Sequence, residues 1–293
     1  MTDDLRQKAI ALYDHFTHIG MDRRAFMTDL TKLAGSAAAA NALLAGIAGN
    51  AAAAAVIAED DKRLKPEYIT WPVAGGRTMR GYWATLAGGY TKRPTVIVIH
   101  ENRGLTPHIR DVTRRLALEG FHALAPDFLA VAGGTPVDED KAREMIGALV
   151  LADAIADGAA TVAWLQKEDR VKNGKVGVVG FCWGGAMSNN IAVAAGDTLA
   201  AAVPYYGPAP DPAQAIKVKA PILLQYAETD ERVNKTAQPW IDALKAAKVP
   251  VEAYFYLGTQ HAFNNDTSAE RYNKAAADLA WGRTIAHFRK YLK

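Results

Sequence analysis

The chain's only cysteine stands in the run Gly180-Phe181-Cys182-Trp183-Gly184-Gly185. Ahead of it lies the apolar stretch Lys175-Val176-Gly177-Val178-Val179, and behind it helical spacing runs from Trp183 to Ala194. A strand that turns sharply into a helix holds its apex residue out at the bend, where flanking backbone passes too close for a Cβ. The N-terminus of the helix, aimed at the sulfur, favours the thiolate, the form that attacks a carbonyl carbon. The plain alternative is a buried structural cysteine. The strand–turn–helix setting argues for a nucleophile.

A thiol nucleophile needs a base and a group that orients the base. Asp230 follows the expected strand Pro221 to Tyr226, in Ala227-Glu228-Thr229-Asp230. His261 follows the expected strand Val251 to Tyr256, in Gly258-Thr259-Gln260-His261-Ala262-Phe263. Each alone reads as an ordinary loop residue; three strand-end residues in the order nucleophile, acid, base read as a set. Glu228 and Glu231 are the competing carboxylates, with Glu228 second to Asp230.

The loop after Ile99 reads His100-Glu101-Asn102-Arg103-Gly104. The backbone N–H groups of Asn102 and Trp183 are the expected donors to a tetrahedral oxyanion. Glu101 is expected beside Cys182, where a carboxylate raises a thiol's pKa and holds its proton until substrate arrives; pairing with Arg103 is the competing reading. Tyr205 and Phe263, with Trp183 and Tyr206, either line an apolar substrate pocket or pack the core. His100 and Asp127 read as turn-fixing groups.

The elements that must position these residues follow from hydrophobic period. Tyr68 to Val73 and Met79 to Thr85 alternate as a hairpin around Gly75-Gly76. Thr95 to His100 is a continuous β-branched run, the mark of a strand buried on both faces. Strand and helix patterns then alternate to a closing helix, Ala269 to Tyr291. This is an α/β chain with a mostly parallel, doubly wound sheet flanked by helices, whose chemistry belongs at the strand C-termini.

Together, His100-Glu101-Asn102-Arg103-Gly104, the Cys182 run, Glu228-Thr229-Asp230 and Gln260-His261-Ala262-Phe263 resemble the dienelactone hydrolase (carboxymethylenebutenolidase) family over about residues 65–293. The resemblance implies an α/β-hydrolase fold. It further implies that Cys182 attacks an ester or lactone carbonyl, that His261 serves as base and then acid, that Asp230 orients it, and that Glu101 gates the thiol. The family's carboxylate-binding arginines are absent. The stretch Pro126-Asp127-Phe128-Leu129-Ala130-Val131 has none, and Ala262 and Asn265 stand where a serine and an arginine are expected. Without a bidentate guanidinium, recognition of a substrate carboxylate is weakened.

Residues 1–60 form a separate N-terminal extension, and 61–293 the hydrolase domain. In the extension, Asp22-Arg23-Arg24-Ala25-Phe26-Met27 precedes an alanine-rich run with no charge between Lys32 and Glu59. This resembles a twin-arginine export signal with cleavage near Ala55 or Ala58, giving a periplasmic protein. The alternative is a helical extension retained on a cytoplasmic protein.

The chain has 293 residues, 34 Lys and Arg against 31 Asp and Glu, and a net charge of +3. That balance, without a basic stripe, argues against nucleic acid as partner. The lone cysteine excludes an intrachain disulfide and a Cys₄ zinc centre, and His-Glu-x-x-His is absent, so the expected reaction needs no metal or other cofactor. The expected partner is a small-molecule ester or lactone. The rival class is a non-enzymatic binding or redox-sensing module with Cys182 as an oxidisable thiol.

Overall fold

The computed structural model describes residues 3–18, 21–48, 55–88 and 91–293. Eight strands form one sheet in the order β1-β2-β4-β3-β5-β6-β7-β8. β1 (Leu64–Pro72) and β2 (Thr78–Leu86) make the antiparallel hairpin, and β2 runs antiparallel to β4 (His122–Pro126). From β4 onward all pairings are parallel: β3 (Arg93–Ile99), β5 (Val171–Phe181), β6 (Ala201–Tyr205), β7 (Ile222–Ala227) and β8 (Val251–Tyr256).

Side chains alternate along each central strand, so both faces are apolar and both are covered. Val96, Val98, Val179, Phe181 and Val203 face a core closed by α4 (Pro107–Leu118) and α9 (Lys274–Tyr291). Their neighbours Ile97, Ile99, Val176, Val178 and Leu224 face a second core, closed by α6 (Leu151–Leu165), α7 (Trp183–Ala195) and α8 (Glu231–Ala246). A short helix, α5 (Glu139–Gly147), lies on the path from β4 to α6.

The extension has its own small core. Helices α1 (Asp3–His18), α2 (Arg23–Ala34) and α3 (Ala37–Ala48) bury Ile10, Tyr13, Phe16, Phe26, Leu30, Leu43 and Ile47 together. The rings of Phe16 and Phe26 stack with centroids 4.4 Å apart. Asp22 caps α2 by accepting the Ala25 N–H at 2.9 Å, which places Arg23 and Arg24 in the first, exposed turn. The Gly49-Asn50 break in the alanine-rich run lies outside the described residues. No single helix among the described residues is long and apolar enough to cross a membrane.

This bundle docks on the C-terminal edge of the sheet. Asn102 Nδ2 donates to the Thr17 carbonyl at 3.4 Å, and Ser268 Oγ donates to the Ile47 carbonyl at 2.7 Å. Arg103 donates to the Tyr13 hydroxyl, and the Arg143 guanidinium lies 4.4 Å from the Phe16 ring centroid.

Candidate active site

β5 ends at Phe181 and α7 begins at Trp183, leaving Cys182 alone at the bend with φ 57° and ψ −114°. A non-glycine residue in that region is strained and is held there only by its surroundings. The surroundings are tight backbone. A Cβ on Gly180 would collide with the Gly184 carbonyl oxygen, and a Cβ on Gly184 with that of Ile99 in β3. The Cys182 N–H donates to Tyr205 O at 3.1 Å, fixing the bend to β6.

Asp230 and His261 meet as expected. His261 Nδ1 lies 2.5 Å from Asp230 Oδ2, and both residues are buried. The other oxygen, Oδ1, accepts the Val233 N–H at 3.3 Å and caps α8. One carboxylate therefore starts a helix and orients a ring. With Nδ1 tied to the carboxylate, Nε2 faces the sulfur; it makes no hydrogen bond of ordinary geometry.

A second imidazole was not visible in the sequence. His18, the last residue of α1, places Nε2 3.2 Å from Cys182 Sγ. Its Nδ1 lies 2.9 Å from both Asp14 O and Thr17 Oγ1. The His18 and His261 rings stand edge to face, 4.9 Å apart.

These neighbours set the charge state. Burial alone would push the Cys182 thiol up, but the imidazoles of His261 and His18 more than offset it and pull the thiol down to about 5. Burial disfavours a charged His261, yet Cys182 and Asp230 raise it well above the ordinary histidine value. Burial raises Asp230, and His261 outweighs that and lowers it. Together these interactions favour thiolate, imidazolium and carboxylate as the charge states of the three groups.

Three expectations need correction. Glu101 lines the same cavity as Cys182, but its Oε2 accepts from Asn265 Nδ2 at 2.8 Å. The thiol is lowered rather than raised, because two imidazoles face it. Tyr205 and Phe263 are fully buried and lie outside the cavity lining. Tyr205 donates or accepts at Thr284 Oγ1, 2.7 Å away, and Phe263 packs on Tyr206 and Tyr256, so both support the site from below.

The remaining expected residues lie at the site. Trp183 opens α7, where the first N–H has no intrahelical acceptor. Asn102 sits in the loop beyond β3 and lines the cavity. His100 is structural: Nδ1 lies 2.7 Å from Glu101 O, and Nε2 accepts the Phe128 N–H at 3.3 Å.

Two cavities border the sulfur: one of about 340 Å³ beside Asn102, Trp183 and Arg232, and, under α1, a smaller one of about 60 Å³. Its polar walls include Tyr13, His18, Arg103, Asn265 and Arg271. Both arginines are already engaged: Arg103 with Glu139 and Tyr13, and Arg271 with Ser268 and, 3.7 Å away, Asp14.

An eight-stranded, mostly parallel sheet with a strained residue between β5 and α7, and an Asp–His pair delivered by later strands, is an α/β-hydrolase fold. A model of the dienelactone hydrolase family matches residues 79–292, and the chain belongs to that family. It is similar to "Protein usf" of Aquifex pyrophilus, 36% identical over 225 residues, covering 74% of this chain and 95% of that protein. An Escherichia coli K12 protein named "Putative carboxymethylenebutenolidase" is 32% identical over 231 residues, covering 74% of this chain and 84% of its own. The solved dienelactone hydrolase of Anabaena variabilis superposes with a TM-score of 0.61 at 22% identity, covering 79% of this chain and all of that one; it supports the fold. The protein is a hydrolase of the ester- and lactone-cleaving kind.

Proposed function

We propose that the protein hydrolyses a small ester or lactone through an acyl-cysteine intermediate on Cys182. The observation that carries this reading is His261, held by Asp230 at 2.5 Å on one side and facing the strained Cys182 on the other. The Cys182 thiolate attacks the carbonyl carbon, and the oxyanion is met by the N–H groups of Asn102 and Trp183. His261 gives its Nε2 proton to the departing alkoxide as the C–O bond breaks, leaving a thioester on Cys182. Water, deprotonated by His261, attacks the thioester, releases the acid and restores the thiolate–imidazolium pair.

The names of the relatives suggest a lactone or ester of dienelactone type. One observation favours an uncharged acyl group instead. Ala262 and Asn265 replace the residues of the carboxylate clamp, and Asn265 is committed to Glu101. A panel of short-chain aryl esters and small lactones tests the reading. Turnover that disappears in Cys182→Ala is expected; equal turnover in that variant rejects the nucleophile.

Periplasmic export through the twin-arginine route and retention of the extension are distinguished by the mature N-terminus. The burial of Tyr13 and Phe16 and the contact of His18 with Cys182 favour retention. A protein isolated from its native host that begins near residue 56 or 59 would establish export and cleavage.

A further inference from the structure

Three side chains from distant parts of the chain converge on one point. A ring nitrogen of His18, a ring nitrogen of His261 and the sulfur of Cys182 all lie within 4.8 Å of one another. Both Nδ1 atoms have acceptors of their own: Asp14 O for His18, and Asp230 Oδ2 for His261. An acceptor at Nδ1 fixes a hydrogen there and turns the other nitrogen inward, the arrangement that orients histidines bound to metal ions. The two inward atoms are therefore Nε2 of each ring. That of His261 is buried and lacks a hydrogen-bond partner, in a residue only 2% exposed.

We propose that His18 Nε2, Cys182 Sγ and His261 Nε2 form a binding site for a borderline-soft divalent cation, zinc being the representative ion. A sulfur and two imidazole nitrogens select such ions over magnesium or calcium. In a tetrahedral zinc site, bonds of about 2.3 Å to sulfur and 2.0–2.1 Å to nitrogen set donor atoms roughly 3.4–3.6 Å apart. His18 Nε2 and Sγ already stand at 3.2 Å. The rings need to adjust by about 1 Å or less, and the fourth position opens on the cavity. Binding displaces to solvent the hydrogens that lie between the sulfur and the two inward nitrogens, and metal bonds to sulfur and nitrogen take their place.

The consequence is a blocked state. The sulfur that would attack a carbonyl is bound to metal, and α1 supplies the ligand that turns a Cys–His pair into a three-donor site. The inference rests on the position of the donors and holds whether or not Cys182 is the nucleophile, because the first readout below is spectroscopic.

The test uses the full-length protein, freed of metal by a chelator and titrated with cobalt(II), with zinc as competitor. The wild type is expected to bind one ion with a sulfur-to-cobalt charge-transfer band. That band should vanish in Cys182→Ser, and affinity should fall by at least about tenfold in His18→Ala and His18→Gln. Zinc should inhibit ester turnover, reversibly on chelation, with an inhibition constant raised similarly in His18→Gln. Absence of the band at millimolar cobalt, or equal affinity with and without His18, overturns the proposal. Substitution at His18 risks unseating α1, so proton NMR of the cobalt-bound wild type provides a mutation-free check. Paramagnetically shifted Nδ1–H signals from two histidines are expected, and signals from only one overturn the three-donor site.

Discussion

His18 Nε2 and Cys182 Sγ, 164 positions apart in the chain, stand 3.2 Å from each other. This contact joins the N-terminal bundle to the bend between β5 and α7, and it gives the sulfur a second imidazole besides His261. Its first consequence is electrostatic. With the thiol held at about 5, thiolate is the form present above that pH and is lost as the pH falls through it. The rate of Cys182 alkylation by iodoacetamide should therefore rise between pH 4 and 6 and level off by neutrality. In His18→Ala the midpoint should move upward, because a stabilising partner of the thiolate is gone. A midpoint near the ordinary thiol value in the wild type, or an unmoved midpoint in the variant, contradicts this account.

Asp230 serves α8 and His261 with different oxygens, so substitution separates the two roles. Asp230→Asn keeps a side-chain acceptor for the Val233 N–H, and capping stability should change by less than about 1 kcal/mol. The ring loses the carboxylate that holds its tautomer, and kcat should fall by on the order of 10²–10⁴-fold. Thermal unfolding measured beside kcat checks both. Activity within twofold of the wild type would remove Asp230 from the relay.

Gly184 packs against backbone rather than side chains. A Cβ there meets the carbonyl oxygens of Ile99 and His100, which belong to β3 and its following loop and cannot rotate away. Gly184→Ala is expected to cost about 2–4 kcal/mol in urea unfolding and to disturb the bend at Cys182. A change below about 0.5 kcal/mol would show that the helix shifts freely at this point.

Tyr13 anchors α1. Its ring is buried in the small bundle core, its hydroxyl receives Arg103, and the Arg271 guanidinium lies 5.2 Å from the ring centroid. Tyr13→Ala should weaken the seating of α1 by about 3 kcal/mol. The sheet cores share no residue with the bundle core, so the main unfolding transition should change little. Cys182, now 5% exposed, should be alkylated faster at saturating pH. An unchanged alkylation rate would mean that α1 does not control access.

The sheet and the Cys182–Asp230–His261 grouping were legible because local pattern carries them. Val96 to Ile99 and Val176 to Val179 are apolar on both faces, and such runs identify central parallel strands. Element boundaries were less legible. α8 begins at Glu231, because Asp230 is its cap as well as a site residue, a double role that no local pattern marks. α9 begins at Lys274 rather than near Ala269. Asn265 Oδ1 accepts from Thr267 N and Oγ1 in a turn, and Asn273 provides the cap. His18 left no trace in the sequence because a docked surface helix has no period that names its partner. Tyr205 and Phe263 left two readings open for a related reason: an aromatic residue beside a strand end reads the same whether it lines a cavity or lies beneath it.

The most direct test of the account is mass spectrometry of the protein quenched during turnover of a slowly hydrolysed ester. The account predicts an added acyl mass on the peptide containing Cys182, which appears and decays with the kinetics of product formation. It also predicts loss of turnover by on the order of 10⁴-fold or more in Cys182→Ala. Steady turnover with no acyl group on Cys182, or with Cys182→Ala as active as the wild type, would contradict it.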